Sequence, residues 1–377
     1  MYWLAIKTLF HEKGRLVITL IGIVFSTVLS ITQIAMYLGM MGNATSILRH
    51  IDADIWVAAK NIQNFDFANP FPEERINRVN AIPEVLWSDR LILTWGFLKL
   101  ANGGQEQVQI IGFNPDTGID VPWNILAGNP KDLKSGRYMF IDKTSEQRVG
   151  RLELNSIWEL NDKRFKLIGL SEGIKSFTTS PIVFMSYNQA QSFMTMTGWK
   201  SNHASFLVAR LKDKSRSRDV AELLKTYLKD NDVFTKEDII YKTVMYWTVQ
   251  TGMGMGFFLT AILGLIVGGA IVGQTVYANT MEHLREFGTL KALGAKNSDI
   301  YKVIFAQTGI SAVAGYIAGS VLILLARDGI EKAGVSLYLS AGLFLALFLV
   351  ILLTCLLSAY FSVRKVRTLD PVMVFRM

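Results

Sequence analysis

LVITLIGIVFSTVLSITQIAMYL, residues Leu16–Leu38, decides how this chain is read. It carries no charge and reaches the ~20 residues a helix needs to cross a bilayer. Three more runs of this kind crowd the last third: Met253–Ala278, Val303–Ala326 and Leu337–Val363. Between the first and second runs, Gly39–Met245 has ordinary globular composition. One span, a large water-soluble insert and three further spans define the expected fold class. It is a multi-pass α-helical membrane protein of four transmembrane helices in a 1+3 layout, with a large α+β extracytoplasmic domain between the first and second.

Charge orients this layout. The formal net charge is +8, and its excess sits at span ends. Lys7, Lys13 and Arg15 precede the first span. Arg285, Lys291, Lys296 and Lys302 lie between the second and third, and Arg364, Lys365, Arg367 and Arg376 follow the fourth. In Arg327–Ser336, Asp328 and Glu331 offset Arg327 and Lys332. By the positive-inside rule both termini and Asn279–Lys302 face the cytoplasm, and the insert lies outside. The division expected is an amphipathic stretch at 1–15, spans at 16–38, 253–278, 303–326 and 337–363, and an outer domain at 39–245. A cytoplasmic loop at 279–302, a short outer loop at 327–336 and a cytoplasmic tail at 364–377 complete it. Tyr2–Arg15 either lies on the inner membrane surface or extends the first span.

Charge placed this way speaks against nucleic-acid binding. The first run is too long for a signal-peptide core and no small-residue cleavage site follows it, so it reads as an uncleaved anchor. Cys355 is the one cysteine. An intrachain disulfide and a Cys-based zinc site are both excluded, and the outer domain must rely on its hydrophobic core.

In the insert, Asp54–Ala59 reads as a strand with Ile55 and Val57 on one face, and Pro72–Asn80 as a helix with Glu73 and Glu74 in its first turn. Leu91–Leu100 and Gln105–Gly112 flank the hairpin signal Asn102-Gly103-Gly104. Ser156–Leu160 and Phe165–Leu170 flank Asn161-Asp162. Ile182–Met185 and Ala204–Leu211 read as strands, Asn188–Met194 and Ser215–Lys229 as helices. The alternation suggests two small lobes. The flanks after Leu38 and over Lys236–Gln250 lack proline and are expected to extend the spans as helical stalks.

The later spans carry small-xxx-small pairs: Gly252/Gly256, Gly264/Gly268, Gly269/Gly273 and Gly315/Gly319. Such pairs let helices approach closely in lipid, within one subunit or across a dimer. The spans hold almost no ionisable residues at mid-depth, which argues against an ion-driven transporter or channel.

Catalytic patterns are missing. The sequence has no G-x-x-x-x-G-K-[ST] and no H-E-x-x-H. Gly252-Met253-Gly254-Met255-Gly256 has no preceding strand and opens a span, so it is not a phosphate loop. His11, His50, His203 and His283 fall on both sides of the membrane and form no single site. No metal site and no enzyme activity are expected.

One segment stands out, Glu282-His283-Leu284-Arg285-Glu286-Phe287-Gly288-Thr289-Leu290-Lys291-Ala292-Leu293-Gly294-Ala295. Leu284, Phe287, Leu290 and Leu293 give a short helix an apolar side. Glu282 and Arg285 are spaced to pair. Gly294 is a natural stop, with Lys291 in the last turn. Asn297 or Ser298 can cap the third span. The segment either connects two spans or docks a cytoplasmic partner.

This segment resembles the cytoplasmic signature of the MacB/FtsX/LolC-type ABC transporter permeases, with Arg285, Glu286, Gly288, Lys291, Ala292, Leu293 and Gly294 in the family's order. The 1+3 layout and the tail Asp370–Arg376 are similar too. Asp52-Ala53-Asp54 and Gly112-Phe113-Asn114-Pro115 resemble the DevC-type permeases, associated with glycolipid export. The resemblance implies a homodimer in the bacterial inner membrane in which each copy docks a separate ABC ATPase. That ATPase binds the ATP, and the chain itself needs no cofactor. Glu282, Arg285, Glu286 and Lys291 become partner-facing charges, and Phe287 and Leu290 either plug into the ATPase or pack in the membrane. A membrane-fusion (periplasmic adaptor) protein and a TolC-type outer-membrane channel complete the export path for a lipid, glycolipid or other amphipathic substrate. The alternatives are an FtsX-like mechanical regulator of periplasmic enzymes and a membrane-anchored sensor or enzyme.

Overall fold

Residues 9, 11–177, 180–196 and 202–364 are described by a computed structural model. The expected surface stretch at 1–15 and the tail at 364–377 fall mostly outside them. The chain divides into two units, Met1–Gly39 with Met253–Met377, and Met40–Gly252.

The first unit is built from long helices. Lys13–His50, Met253–Glu282, Asn297–Lys332 and Ala341–Arg364 are apolar and long enough to cross a membrane. The first runs past Leu38 to His50 without a break. The third continues beyond Ala326 into the expected outer loop, where Arg327 Nε meets Glu331 Oε1 at 2.8 Å. The fourth begins at Ala341 rather than Leu337, because Ser340 Oγ accepts from the Leu343 amide at 3.2 Å and sets the start there.

Glycines set the spacing of these helices. A Cβ built on Gly264 would lie 2.8 Å from Leu29, and one on Gly268 would lie 2.5 Å from Ser26 Cβ. On the third span helix, a Cβ at Gly315 would meet Ile23 at 2.7 Å and one at Gly319 would meet Thr27 at 2.8 Å. Two glycine stripes on two helices thus receive the first helix over Ile23–Leu29. Gly269 and Gly273 face Thr354, Ser358 and Ser362 of the last helix, and Ser362 Oγ donates to Gly273 O at 2.7 Å. A Cβ on Gly252 or Gly256 would meet nothing within 4 Å among the described residues, so this pair receives no helix of the same chain there. Gly252 precedes the helix at φ +73°, a turn conformation that glycine adopts without strain.

The second unit, taken by itself, is a mixed sheet with helices on it. Its strands are β1 (Ile55–Ala59), β2 (Phe71–Pro72), β3 (Val85–Lys99), β4 (Gln105–Phe113), β5 (Ile125–Ala127), β6 (Tyr138–Asp142), β7 (Ile157–Leu160), β8 (Lys163–Ser171), β9 (Ile182–Ser186), β10 (His203–Ala204), β11 (Phe206–Leu211) and β12 (Asn231–Thr235). The main order is β12-β1-β11-β3-β4-β9-β6-β8-β5, with β7 pairing both β3 and β8, while β2 and β10 pair separately. The pairs β4·β9 and β6·β8 are parallel and the other main-sheet pairs antiparallel.

The two lobes expected from sequence are one continuous sheet, because β3 runs from Val85 to Lys99 and pairs with β11 at one end and β4 at the other. β1 is buried on both faces. Trp56 joins a core with Phe65, Phe206 and Phe184, while Ile55 and Val57 face a second core with Val220 and Leu224 of the helix Ser217–Tyr227. A third core packs Ala190 and Phe193 of the helix Tyr187–Met196 onto Ile92 and Ile110.

The unit closes with a stalk. Thr235 caps the helix Lys236–Met245 through a reciprocal bond with Asp238. Lys236 Nζ donates to the carbonyls of Arg49 and Ile51 at 2.7 and 2.9 Å, satisfying the open C-terminal end of the first helix. Burial holds the Lys236 ammonium below its ordinary range. A five-residue π-helical turn, Tyr246–Gln250, then leads to Gly252. The helical stretch over Lys236–Gln250 thus changes from α to π at Tyr246.

Candidate functional site

In the first unit, the segment singled out by sequence forms the helix Leu284–Ala292, between the second and third span helices. Its C-terminus is a glycine stop. Gly294 lies at φ +98°, its amide donates to Lys291 O at 3.0 Å, and the Ala295 amide donates to Leu290 O at 3.0 Å. The next helix begins after Lys296, whose amide donates to Asp299 Oδ2 at 3.2 Å. Neither Asn297 nor Ser298 is its cap; a carboxylate three residues ahead takes that role.

The N-terminus of the short helix is held by a charge cluster. Arg15 Nη1 lies 2.9 Å from Glu12 Oε2, and Arg15 Nη2 is paired with Glu282. His283 Nε2 contacts the second oxygen of Glu12, and Nδ1 lies 3.0 Å from Glu286 Oε2. Glu282 thus binds Arg15 and not the expected Arg285, because the chain turns at His283 and leaves the two on different helices. Burial pushes the His283 imidazole down, but the bonds to Glu12 and Glu286 outweigh it and hold its pKa above the ordinary histidine value. Protonated, it donates from both nitrogens to two carboxylates.

The apolar side splits in two. Phe287 is half-buried against Ile300, Ile304 and Val363, which places it in internal packing. Gly288 is buried and Leu290 half-buried. Leu293 lies off this side and is 81% exposed. Arg285 is exposed and Lys291 half-exposed. A cavity of about 70 Å³ beneath the helix is lined by Glu12, Asn279, His283, Gln307 and Thr308 among others. The arrangement presents charge and one leucine on a short, doubly anchored helix. It suits a mechanical contact.

Sequence reasoning placed Glu282, Arg285, Glu286, Phe287, Gly288, Leu290, Lys291 and Gly294 on this element. It missed Glu12 and His283. Their signal was weak: two ionisable residues at the margins of two spans far apart in the chain.

Comparison with known proteins places the chain in a family. The family described as MacB-like periplasmic core domain matches residues 16–227, and the FtsX-like permease C-terminal family matches residues 258–371. An uncharacterized ABC transporter permease of Mycobacterium tuberculosis is 22% identical over 381 residues, covering 100% of this chain and 99% of that one. Another of Methanocaldococcus jannaschii is 25% identical over 235 residues, 60% of this chain and 58% of that one. The macrolide export ATP-binding/permease protein MacB of Photorhabdus laumondii is 24% identical over 234 residues, 59% of this chain but 34% of its own length. The first family covers more than half of the chain. The chain belongs to the MacB/FtsX-like permeases, membrane components of ABC transporters.

Proposed function

We propose that this permease converts the closing of a separate ABC ATPase into movement of its outer domain, with Leu284–Ala292 as the docking element. The observation that carries the reading is the double anchoring of that helix, by the Glu12–Arg15–His283 cluster at one end and the Gly294 stop at the other. A push on a helix so held is passed to the first three span helices. Arg285 and Lys291 supply the partner-facing charge and Leu293 the apolar contact. Both termini and the 279–302 loop face the cytoplasm, as the charge at the span ends directs. The permease works as a homodimer in the inner membrane, with an adaptor and a TolC-type channel where an outer membrane exists. Its substrate is a lipid, glycolipid or other amphipathic molecule that bypasses the uncharged spans, as in the DevC-type systems that Asp52–Asp54 and Gly112–Pro115 resemble.

Three substitutions test the docking role. Arg285→Glu sets like charge against an acidic partner surface, a juxtaposition that costs several kcal/mol at an interface. Leu293→Asp removes the exposed apolar contact. Leu290→Pro breaks the helix at a cost of about 3 kcal/mol. Each is expected to lower ATPase co-purification while membrane insertion and protein level stay normal. Normal levels with undiminished ATPase binding and export in all three would reduce the helix to a connector.

A further inference from the structure

Three carboxyls of the second unit show how burial is normally compensated and where it is not. Asp54 faces Arg210 and accepts from the Leu211 amide at 3.0 Å. Asp142 accepts from Ser171 Oγ and from the amides of Thr144 and Ile174. Asp66 is 5% exposed and accepts from Trp247 Nε1 at 3.1 Å, with Gln109 Nε2 at a long 3.5 Å. Gln109, Trp247 and its own backbone are the groups that act on it, and no charged residue contributes among those described. Nearby, Gln109 Oε1 and Asn64 Nδ2 are buried without a hydrogen-bond partner, a polar arrangement left incomplete.

Trp247 sits in the π-helical turn that ends the stalk, five residues before Gly252. Its ring stacks on Phe177 at 3.6 Å between centroids and tilts against Phe67 at 5.9 Å. One turn earlier, Thr243 Oγ1 accepts from the Phe65 amide at 3.2 Å. The stalk's last turn is therefore pinned to residues 64–67 at two points. π-Helical turns are rare, and within helices they recur at functional sites.

We propose that Asp66 and Trp247 form a releasable joint, closed when Asp66 is neutral and loosened when it is ionised, so that acidity on the outer-domain side sets how rigidly the stalk's end moves with that domain. Burial pushes the Asp66 carboxyl up to about 6, against the hydrogen bonds that lower it. The closed joint binds the proton more tightly than an open, hydrated one. Between the ordinary aspartate value and about 6, rising pH therefore favours opening, and above that range the effect levels off. The significance for transport rests on the proposed movement of the outer domain; the joint itself does not.

Hydrogen–deuterium exchange of the 243–252 segment tests this in the full chain in lipid nanodiscs, after correction for the intrinsic pH dependence of exchange. The opening equilibrium is expected to rise about tenfold from pH 5 to pH 7 and then to plateau. Asp66→Asn keeps an acceptor for Trp247 and is expected to stay low and flat. Trp247→Phe keeps the stack, removes the donor and raises opening at pH 7. A flat wild-type profile, or a rise that survives in Asp66→Asn, overturns the proposal. Because no ATPase is present, either result leaves the docking of Leu284–Ala292 to be judged by co-purification.

Discussion

At the scale of single residues, glycine decides how closely the helices of the first unit approach. The stripes at Gly264/Gly268 and Gly315/Gly319 leave no room for a methyl group against Leu29, Ser26, Ile23 and Thr27. Gly315→Val or Gly319→Val must displace the first helix, and overpacking of this kind costs about 1–3 kcal/mol. Thermal unfolding in detergent should show a lowered midpoint for both. Gly256→Ala meets open space and removes the backbone freedom of glycine, so its midpoint should hold or rise. Equal loss at all three positions would contradict this account of the packing.

At the scale of elements, the charge cluster fixes the short helix to the start of the first. His283 is the residue whose state changes near neutrality. Its pKa is raised in the folded protein, so the contribution is fully present below the ordinary histidine value and is lost as pH rises through the raised one. Spin labels at His11 and Arg285, both exposed, report this separation in a Cys355→Ala background. The distance distribution should be narrow at pH 6 and broaden by pH 9. His283→Gln should be broad at both. A narrow distribution in that variant would mean that Arg15 with Glu12 and Glu282 suffices to hold the helix.

At the scale of the whole molecule, the proposed orientation rests on the charge asymmetry across the spans and can be tested directly. Cysteine substitutions at Gly103 and Asn161, both in hairpin turns, should react with a membrane-impermeant maleimide added from outside, and one at Asn297 should not. The opposite pattern would invert the topology. The purified permease is also expected to hydrolyse no ATP, since the sequence offers no phosphate loop. Turnover that persists after contaminating ATPases are removed would reveal a missed site.

Four spans in a 1+3 layout, a mixed α+β insert and a capped helix between spans were all legible in the sequence. Each depends on local properties: run length, alternation of side chains, and turn residues such as Asn102-Gly103-Gly104. The short strands Tyr138–Asp142 and Asn231–Thr235 were not legible, because they are held by pairing with β8, β9 and β1 rather than by their own pattern. Only the tertiary structure separated Gly264, Gly268, Gly315 and Gly319, which receive the first helix, from Gly252 and Gly256, which receive no neighbour among the described residues. The spacing is the same in all three pairs; the neighbour is not. The same holds for Glu12 with His283 and for Asp66 with Trp247. These partners lie 271 and 181 residues apart along the chain, and a hydrogen bond depends on distance in space.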